Sequence, residues 1–473
     1  MMINFLISLL FFCILLTIWL NFMHHDVKWK NHRITIDQHC FPKGFLWGAA
    51  TSAHQVEGDC TNNDWFAWEK SYDNDANPRI KNSDRSGRAS NHWDRYQSDL
   101  QLLKALGCNS YRFSVEWSKL LPQPGTWNQG TADHYIEMCA AMREMNIVPN
   151  VTLHHFTLPQ WLAVRGGFEH PDSVKYFADF TQRIAETLDP FVDLWATFNE
   201  PVVFAMMGWV RGIWPPGKKD LCIAARVLAN LLEAHQRAYH ILHKTVLQDA
   251  DGDGVPCRVG IVKNITVFDP ARKWWLPDWL TTLTIDKLYN GAVLNAFHTD
   301  RFKFKMFNAV RFVKEFPGLS DTLDWIGVNY YTQFLTKPDL KSNLNIRIYP
   351  RKKLPKTDMD WAVYPAGLYR ALRMVQPFGV PIYITENGIA TQDDQLRERF
   401  ILQHIDAMHE ALLDKIDVQG YYYWSLMDNF EWAEGFEKRF GLYHVDYHTQ
   451  KRSLKNGTKI YSDIIRQSQS TDA

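Results

Sequence analysis

Two glutamates in similar local sequence are the residues of this chain with the most distinctive chemistry. Glu386 ends Pro381–Glu386, a short apolar, β-branched run typical of a buried strand, and an Asn-Gly turn signal follows it. Glu200 lies near the end of a second such run, Leu194–Pro201, where the proline stops the strand. Each carboxylate is therefore predicted where a buried strand gives way to a loop.

Two carboxylates that face each other across one pocket are the requirement for hydrolysis of a glycosidic bond. One carboxyl group protonates the leaving oxygen, and the other attacks the anomeric carbon or activates a water molecule. A separation of about 5–5.5 Å gives retention of configuration through a covalent intermediate, and a wider one gives inversion. The sequence does not contain this separation, so the residues alone leave both outcomes open.

The elements that must position the two glutamates follow a repeated strand–helix pattern. The eight strand-like runs are Phe45–Thr51, Ser110–Trp117, Ile147–His155, Leu194–Pro201, Val259–Asn264, Trp325–Tyr331, Pro381–Glu386 and Gly420–Leu426. The clearest helix-like segments are Asn91–Leu106, with Gly107 as its C-terminal cap, Asp172–Leu188, Leu221–Val246, Tyr364–Val375 and Leu396–Leu413. This alternation predicts an α/β protein with a single (β/α)8 TIM barrel. A doubly wound open sheet is the weaker alternative, because no glycine-rich phosphate turn follows the first strand.

Polar and aromatic residues stand at the ends of nearly all the predicted strands. They are Gln55, Arg112, His155, Asn199, Glu200, Asn329, Tyr331, Glu386, Trp424, Glu431 and Trp432. Chemistry in a (β/α)8 barrel gathers at the C-terminal ends of the strands, so a set of this size is hard to explain as core packing. Taken singly, Arg112 could be an ion-pair partner, the two tryptophans core residues and His155 structural. Glu57 and Glu116, also near strand ends, are interpreted as structural.

Several longer motifs resemble the successive signatures of glycoside hydrolase family 1. They are WGAATSAHQVEG, YRFSVEW, TLHHFTLPQWL, TFNEP, GVNYYT, ITENG and WSLMDNFEWAEGFEKRFGLYHVDY, in the family's order, from about Phe41 to about Tyr461. The family contains retaining β-glucosidases and β-galactosidases. The resemblance therefore implies a (β/α)8 enzyme, an O-glycosyl hydrolase that works through a covalent glycosyl intermediate.

The resemblance also implies roles for the strand-end residues. Glu386 would be the nucleophile, kept ionised by Arg112 and Tyr331, and Glu200 the general acid and then the general base. The negative charge of Glu386 is expected to raise the pKa of Glu200. The residues expected to support or bind the sugar are Asn199 at the 2-hydroxyl, Gln55, His155 and Glu431 at other hydroxyls, Trp424 as a stacking platform, Trp432 beside it, Tyr331 and Asn329.

Two departures from the family pattern concern which sugar is bound. Phe156 and Thr157 stand where the family usually has Trp and Asp, which puts hydroxyl selectivity in doubt. Glu431 is an acid that would repel a phosphorylated sugar, so unphosphorylated glucosides, galactosides or fucosides are favoured over 6-phospho-β-glycosides, although Lys438 lies nearby. A transglycosylase that uses the same intermediate is a further alternative. A sugar-binding module without activity is disfavoured because both glutamates are present.

Composition limits the remaining functions. The formal net charge is zero, which argues against nucleic acid or an anionic membrane surface as the main partner. The seven cysteines show no CxxC spacing, and no His, Cys or carboxylate cluster has metal spacing, so no metal or cofactor is expected. Asp249–Gly254 resembles a calcium loop but lacks the required acid at its twelfth position, and is predicted to be a surface turn. Arg351–Lys353 is interpreted as a solvated basic run in a long loop. The oligomeric state is not predicted.

The first 25 residues contain no charged side chain and are predicted to be a separate hydrophobic segment. Phe5–Leu20 with its flanks is long enough to span a bilayer, and Lys28, Lys30 and Arg33 follow it. By the positive-inside rule a membrane anchor would leave the catalytic part in the cytoplasm. An export signal, or a start codon placed too early before a cytoplasmic protein, is the alternative. The predicted organisation is a possible anchor (1–25), a linker (26–40), the glycosidase domain (41–466) and a polar tail (467–473).

Overall fold

The computed structural model describes residues 2–24, 41–306, 310–342 and 344–470. The predicted linker, 26–40, and the last three residues of the predicted tail lie outside the described residues. Eight parallel strands, named β1 to β8 in chain order, form a closed barrel in which each strand pairs with its neighbours in the chain and β8 pairs with β1. They are Leu46–Ala50, Ser110–Ser114, Val148–His154, Leu194–Asn199, Arg258–Asn264, Trp325–Asn329, Ile382–Asn387 and Val418–Trp424. The predicted (β/α)8 barrel is confirmed, and each strand overlaps its predicted run.

Most of the helices connect the strands around the outside of the barrel, while the first helix precedes β1 and the last follows β8. The α-helices are Met2–Met23, Ala53–Val56, Asp64–Trp68, His92–Leu106, Trp117–Leu120, Gln129–Glu144, Gln160–Ala163, Asp172–Leu188, Pro201–Met206, Leu221–Thr245, Leu276–Asp286, Ala292–Thr299, Ala366–Val375, Asp394–Leu413 and Lys459–Ser470. The five predicted helices are confirmed, with ends that move by two residues at most. Gly107 caps the helix His92–Leu106 with a left-handed φ of 87°, as its position predicted.

Large side chains fill the barrel interior because small residues stand opposite them. The indole of Trp325 lies against Gly260 of the neighbouring strand β5, and a Cβ at Gly260 would lie 2.4 Å from that ring. Trp325 and Tyr422 are both fully buried in the inner cluster, together with Val262. The closed barrel is therefore a packed core that fixes the relative positions of the strand ends.

The structure contains smaller sheets that the sequence pattern did not predict. A three-stranded sheet of Val267–Pro270, Gln333–Pro338 and Ile346–Pro350 extends from the C-terminal ends of β5 and β6. Two hairpins are formed by Arg301–Met306 with Val310–Glu315 and by Tyr443–Asp446 with Lys451–Leu454. Of the predicted solvated basic run, Lys352 and Lys353 are exposed, whereas Arg351 is half-buried and its Nη2 atom donates to Asp269 at 3.2 Å.

Bulges occur where β4 and β7 end. The pairing of β4 with β5 shifts register between Ala196 and Asn199. The pairing of β7 with β6 shifts between Ile384 and Glu386. A bulge changes the direction in which the following side chains point. Glu200 thus follows an irregular strand end, and Glu386 lies within one.

Candidate active site

Glu386 lies in β7 as a buried carboxylate held by two donors. Arg112 Nη1 donates to Glu386 Oε1 at 2.7 Å, and the Tyr331 hydroxyl donates to Oε2, also at 2.7 Å. Arg112 is itself completely buried in β2. Burial raises the pKa of Glu386, while the guanidinium and the hydroxyl oppose this change by stabilising the charged form. The net effect is a raised pKa, and Arg112 and Tyr331 are the groups that favour the ionised carboxylate.

Glu200 follows β4 and has a different environment. Its backbone has a left-handed φ of 46°, and the helix Pro201–Met206 begins directly after it. Its Oε1 atom accepts hydrogen bonds from Asn329 Nδ2 at 2.8 Å and Asn264 Nδ2 at 2.9 Å, both of which are neutral donors. Burial, and then the negative charge of Glu386, raise the pKa of Glu200 to about 7. Glu200 thus keeps its proton up to near-neutral pH.

Asn199 and Asn329 connect the surroundings of the two glutamates. Asn199 Oδ1 accepts from Arg112 Nη2 at 2.8 Å and from Asn329 Nδ2 at 3.1 Å. Asn329 Nδ2 also donates to Glu200. The two carboxylates consequently belong to one network of side chains from β2, β4, β6 and β7, and they influence each other's protonation.

His155 is neutral and presents one nitrogen without a partner. Its Nε2 atom accepts a hydrogen bond from Asn199 Nδ2 at 3.0 Å, which leaves the proton on Nδ1. Within the described residues Nδ1 is buried and has no hydrogen-bond partner. Burial and the nearby Arg112 charge hold the pKa of His155 well below its usual value. The imidazole is therefore a neutral donor available to a bound hydroxyl group.

Gln55 and Glu431 form a second polar group of the site. Gln55 Nε2 donates to Glu431 Oε2 at 3.1 Å and to the carbonyl of Phe430 at 2.9 Å. Burial, and then the charge of Glu386, raise the pKa of Glu431 to about 8. The two side chains come from opposite ends of the chain and are brought together by the contact between β1 and β8.

Aromatic rings line the same region. The His155 ring lies nearly parallel to Trp424 and Trp432, with ring centroids 5.8 and 6.1 Å apart. Phe156 contacts the edge of Trp432 at a centroid distance of 5.3 Å. The position after the third strand therefore keeps an aromatic ring. Thr157 donates to the buried carboxylate of Glu116 instead.

The contacts above bring the predicted site residues into one connected group at the C-terminal end of the barrel. Glu57 and Glu116 lie outside it: Glu57 pairs with Lys119 at 2.9 Å, and Glu116 bonds Ser118 at 2.5 Å. These contacts agree with the structural interpretation of both residues.

Two residues of the site were not predicted. Asn264 ends β5 and donates to Glu200, while its Oδ1 atom accepts from the Tyr289 hydroxyl at 2.8 Å. A polar residue at the end of the fifth predicted strand was the signal that could have identified it. Trp361 lies with its ring centroid 5.4 Å from that of Tyr331. It comes from a long connection after β6, where the sequence pattern gave no comparable signal.

One carboxylate cluster lies away from this site. Asp193, Asp249 and Asp251 bring three oxygen atoms within 4.8 Å of one another. Asp193 immediately precedes β4, so the cluster lies at the opposite end of the barrel from Glu200. Asp193 lies far from Asp249 and Asp251 in the sequence, so no local spacing of carboxylates indicated this cluster.

The fold and the site together define a class of protein. A closed (β/α)8 barrel with two buried glutamates in one network, beside neutral hydroxyl-binding groups and aromatic rings, is the arrangement of barrel enzymes that hydrolyse glycosidic bonds. The sequence model of glycosyl hydrolase family 1 matches residues 37–470. The chain belongs to this family and is a β-glycosidase.

Individual relatives match over nearly their whole length. A 1,4-beta-D-glucan glucohydrolase from Thermotoga neapolitana is 33% identical, over 91% of this chain and 99% of that protein. A 6-phospho-beta-galactosidase from Staphylococcus aureus is 30% identical over 89% and 97%. Among solved structures, a beta-glycosidase from Pyrococcus horikoshii has a TM-score of 0.81 and 39% identity over 91% and 95%. A family 1 β-glucosidase from Thermotoga maritima has a TM-score of 0.83 and 32% identity over 91% and 99%.

Proposed function

We propose that the protein is a retaining β-glycosidase that removes terminal β-D-glucosyl, galactosyl or fucosyl residues, with Glu386 as nucleophile and Glu200 as acid and base. The observation that carries the proposal is the difference between the two carboxyl environments. Glu386 accepts a hydrogen bond from a buried cation, Arg112, whereas Glu200 accepts hydrogen bonds from two neutral amides and has a pKa of about 7. One group is therefore prepared to attack and the other to give up a proton.

In the first step a Glu386 oxygen forms a bond to the anomeric carbon while the bond from that carbon to the leaving oxygen breaks. The proton of Glu200 passes to the leaving oxygen, so the aglycone departs as a neutral alcohol. The product is a glycosyl ester of Glu386 and an ionised Glu200. Because esterification removes the negative charge of Glu386, the pKa of Glu200 falls and its carboxylate is stable.

In the second step Glu200 accepts a proton from a water molecule whose oxygen attacks the anomeric carbon. The ester bond breaks, the sugar leaves with its original configuration, and Glu386 is ionised again. Both enzyme groups return to their starting protonation states. No step requires a group that this chain does not supply.

The remaining site residues would bind the sugar. We assign the 2-hydroxyl to Asn199, and other hydroxyl groups to the free nitrogen of His155 and to the pair Gln55 and Glu431. Trp424 would stack on the sugar face, with Trp432 beside it. These assignments are supported by the hydrogen bond between Gln55 and Glu431, the hydrogen bond between Asn199 and His155, and the ring contact between His155 and Trp424.

Glu200→Ala tests the acid role. We expect kcat/KM to fall by about 10²–10⁴ for alkyl β-glucosides, because general acid catalysis contributes rate enhancements of this size. A 2,4-dinitrophenyl β-glucoside needs no protonation of its leaving group, so its bond cleavage should be retained. An equal loss on both substrates would contradict the assignment.

Two alternative functions are a transglycosylase, which uses the same intermediate, and a 6-phospho-β-glycosidase, which has the same fold. A transglycosylase would pass the sugar to an alcohol, which product analysis with an added alcohol distinguishes from hydrolysis. A 6-phospho-β-glycosidase needs cations at the phosphate, but Glu431 is an acid in the site and Lys438 donates to Glu437 at 2.8 Å. Unphosphorylated substrates are therefore favoured, although the relative from Staphylococcus aureus bears a 6-phospho name.

We further propose that the N-terminal segment anchors the barrel domain, 41–466, to a membrane. The helix Asn4–Met23 is long and apolar enough to cross a bilayer and is mostly exposed. With Lys28, Lys30 and Arg33 following it, the barrel would remain in the cytoplasm. A signal sequence is the alternative reading of such a helix near an N-terminus.

A further inference from the structure

Within the described residues, the C-terminal part of the N-terminal helix packs against the barrel domain, mainly against the helix Leu276–Asp286. Asn21 Nδ2 donates to the carbonyl of Lys273 at 2.7 Å, and His24 Nε2 lies 2.8 Å from Asp269 Oδ1. Thr17 and Leu20 are buried, whereas Phe5, Leu10 and other side chains of the N-terminal part of the helix are exposed. The helix thus projects away from the domain, and its end is fixed beside residue 273.

An apolar surface begins at the next residue. The side chains of Trp274, Trp275, Leu280 and Leu283, here named the rim patch, have exposed fractions of 74%, 51%, 51% and 46%. Leu280 and Leu283 lie three residues apart on the outward face of the helix Leu276–Asp286. A helix on the surface of a water-soluble domain normally has polar residues on that face. The rim patch is therefore suited to contact with an apolar partner.

A lipid bilayer is a partner that fits both the N-terminal helix and the rim patch. Asn4–Met23 contains 20 residues, a length of about 30 Å, which matches the hydrocarbon thickness of a bilayer. Because the end of this helix is joined to Lys273, the rim patch lies at the level where the helix leaves the hydrocarbon. Tryptophan is enriched at that level of a membrane.

The rim patch is also close to the entrance of the site. Strand β5 ends at Asn264, the strand Val267–Pro270 continues beyond it, and Trp274 follows four residues later. After the patch the chain returns to Tyr289, whose hydroxyl donates to Asn264, which in turn donates to Glu200. The patch therefore borders the end of the barrel that holds the two glutamates.

We infer that the rim patch rests on the surface of the bilayer and presents the active site to β-glycosides whose lipid aglycone remains in the membrane. The inference rests on the proposed function for the reaction and adds the class of substrate. A glycolipid could enter with its sugar between the strand ends while its chains stay in the lipid. Contact with the bilayer would come from the domain itself and not from the N-terminal helix alone.

Lipid photolabelling tests the contact without using activity. The full chain would be reconstituted in phosphatidylcholine vesicles that contain a diazirine on one acyl chain, irradiated and mapped by mass spectrometry. We expect adducts within residues 274–283 as well as within 4–23. Adducts confined to 4–23 would overturn the inference and leave the anchor intact. Adducts in neither segment would overturn both.

Activity tests the substrate class. The variant with Trp274→Ser, Trp275→Ser, Leu280→Gln and Leu283→Gln would be compared with a control, Leu247→Gln with Leu413→Gln, which changes two exposed leucines elsewhere. We expect the ratio of kcat/KM on a dialkylglycerol β-glucoside in vesicles to that on soluble 4-nitrophenyl β-glucoside to fall about tenfold in the patch variant only. An unchanged ratio would overturn the substrate class. If the unaltered chain does not cleave the soluble glucoside at all, the proposed function is refuted. The photolabelling experiment would still show whether the rim patch contacts the bilayer.

Discussion

At the scale of single residues, two identical side chains differ because of what surrounds them. Glu386 and Glu200 are both buried, and burial raises the pKa of each. Only Glu386 receives a hydrogen bond from a cation, Arg112. Only Glu200 has a neighbouring carboxylate as a principal cause of its raised pKa. The proposed division of labour follows from these neighbours and predicts a bell-shaped dependence of kcat/KM on pH.

The acid limb of that profile depends on Arg112. Glu386 acts when ionised, so activity is lost as the pH falls through its pKa. Arg112→Met removes the cation that lowers this pKa, and we expect the acid limb of kcat/KM to move up by about 1–3 pH units. Tyr331→Phe removes a neutral donor to the same carboxylate, so its limb should move less in the same direction. A limb that stays in place in both variants would show that Glu386 is not the group observed.

The alkaline limb depends on Asn264. Glu200 acts when protonated, so activity is lost as the pH rises through its pKa, near 7. The hydrogen bond from Asn264 favours the charged form, and Asn264→Ala should therefore raise the pKa and move the alkaline limb to higher pH. Asn230→Ala removes another buried amide, one that bonds the Phe168 carbonyl, and serves as the control. A shift to lower pH, or equal shifts in both variants, would contradict this account.

At the scale of elements, the ends of the strands carry the site and their geometry is irregular. The buried apolar runs made the eight strands predictable, since their composition and length differ from those of the intervening helices. Their ends were less predictable: Leu194–Pro201 is shortened to Leu194–Asn199 because Pro201 begins a helix. The strand Val267–Pro270 was missed because four residues do not establish a period. The bulges in β4 and β7 depend on pairing between distant segments, which no local pattern encodes.

Gly388 maintains the close approach of the segments that follow Glu386 and Trp424. A Cβ at this position would lie 1.8 Å from the carbonyl oxygen of Trp424. Gly388→Ala should push β7 and β8 apart, lowering the free energy of unfolding by ~1–3 kcal/mol or more and reducing kcat. Thermal unfolding and steady-state kinetics measure the two effects. Gly130→Ala, where the nearest atom is 3.6 Å away in the helix Gln129–Glu144, is the matched control. It should leave kcat unchanged and should not lower the free energy of unfolding, because alanine favours a helix over glycine. Similar losses in both variants would contradict the role given to Gly388.

At the scale of the whole molecule, the sequence predicted the barrel and most of the site, but by two different routes. Strand periodicity predicted which residues stand at the C-terminal ends, while the individual roles came from the family resemblance. The position of Asn264 beside Glu200 required the closed barrel, since β4 and β5 meet there across a register shift. The rim patch was not predictable because Trp274 and Trp275 look like core residues until their exposure is known.

The central claim is that Glu386 carries the sugar between the two steps, and trapping of the intermediate tests it most directly. A 2-deoxy-2-fluoro-β-glucoside with a dinitrophenolate leaving group should form the glycosyl ester and hydrolyse it slowly, because the fluorine destabilises the positive charge that develops at the anomeric carbon. Mass spectrometry of the peptides should then show one added fluoroglucosyl group, attached to Glu386. Attachment to any other residue, or inactivation without a covalent adduct, would contradict the account.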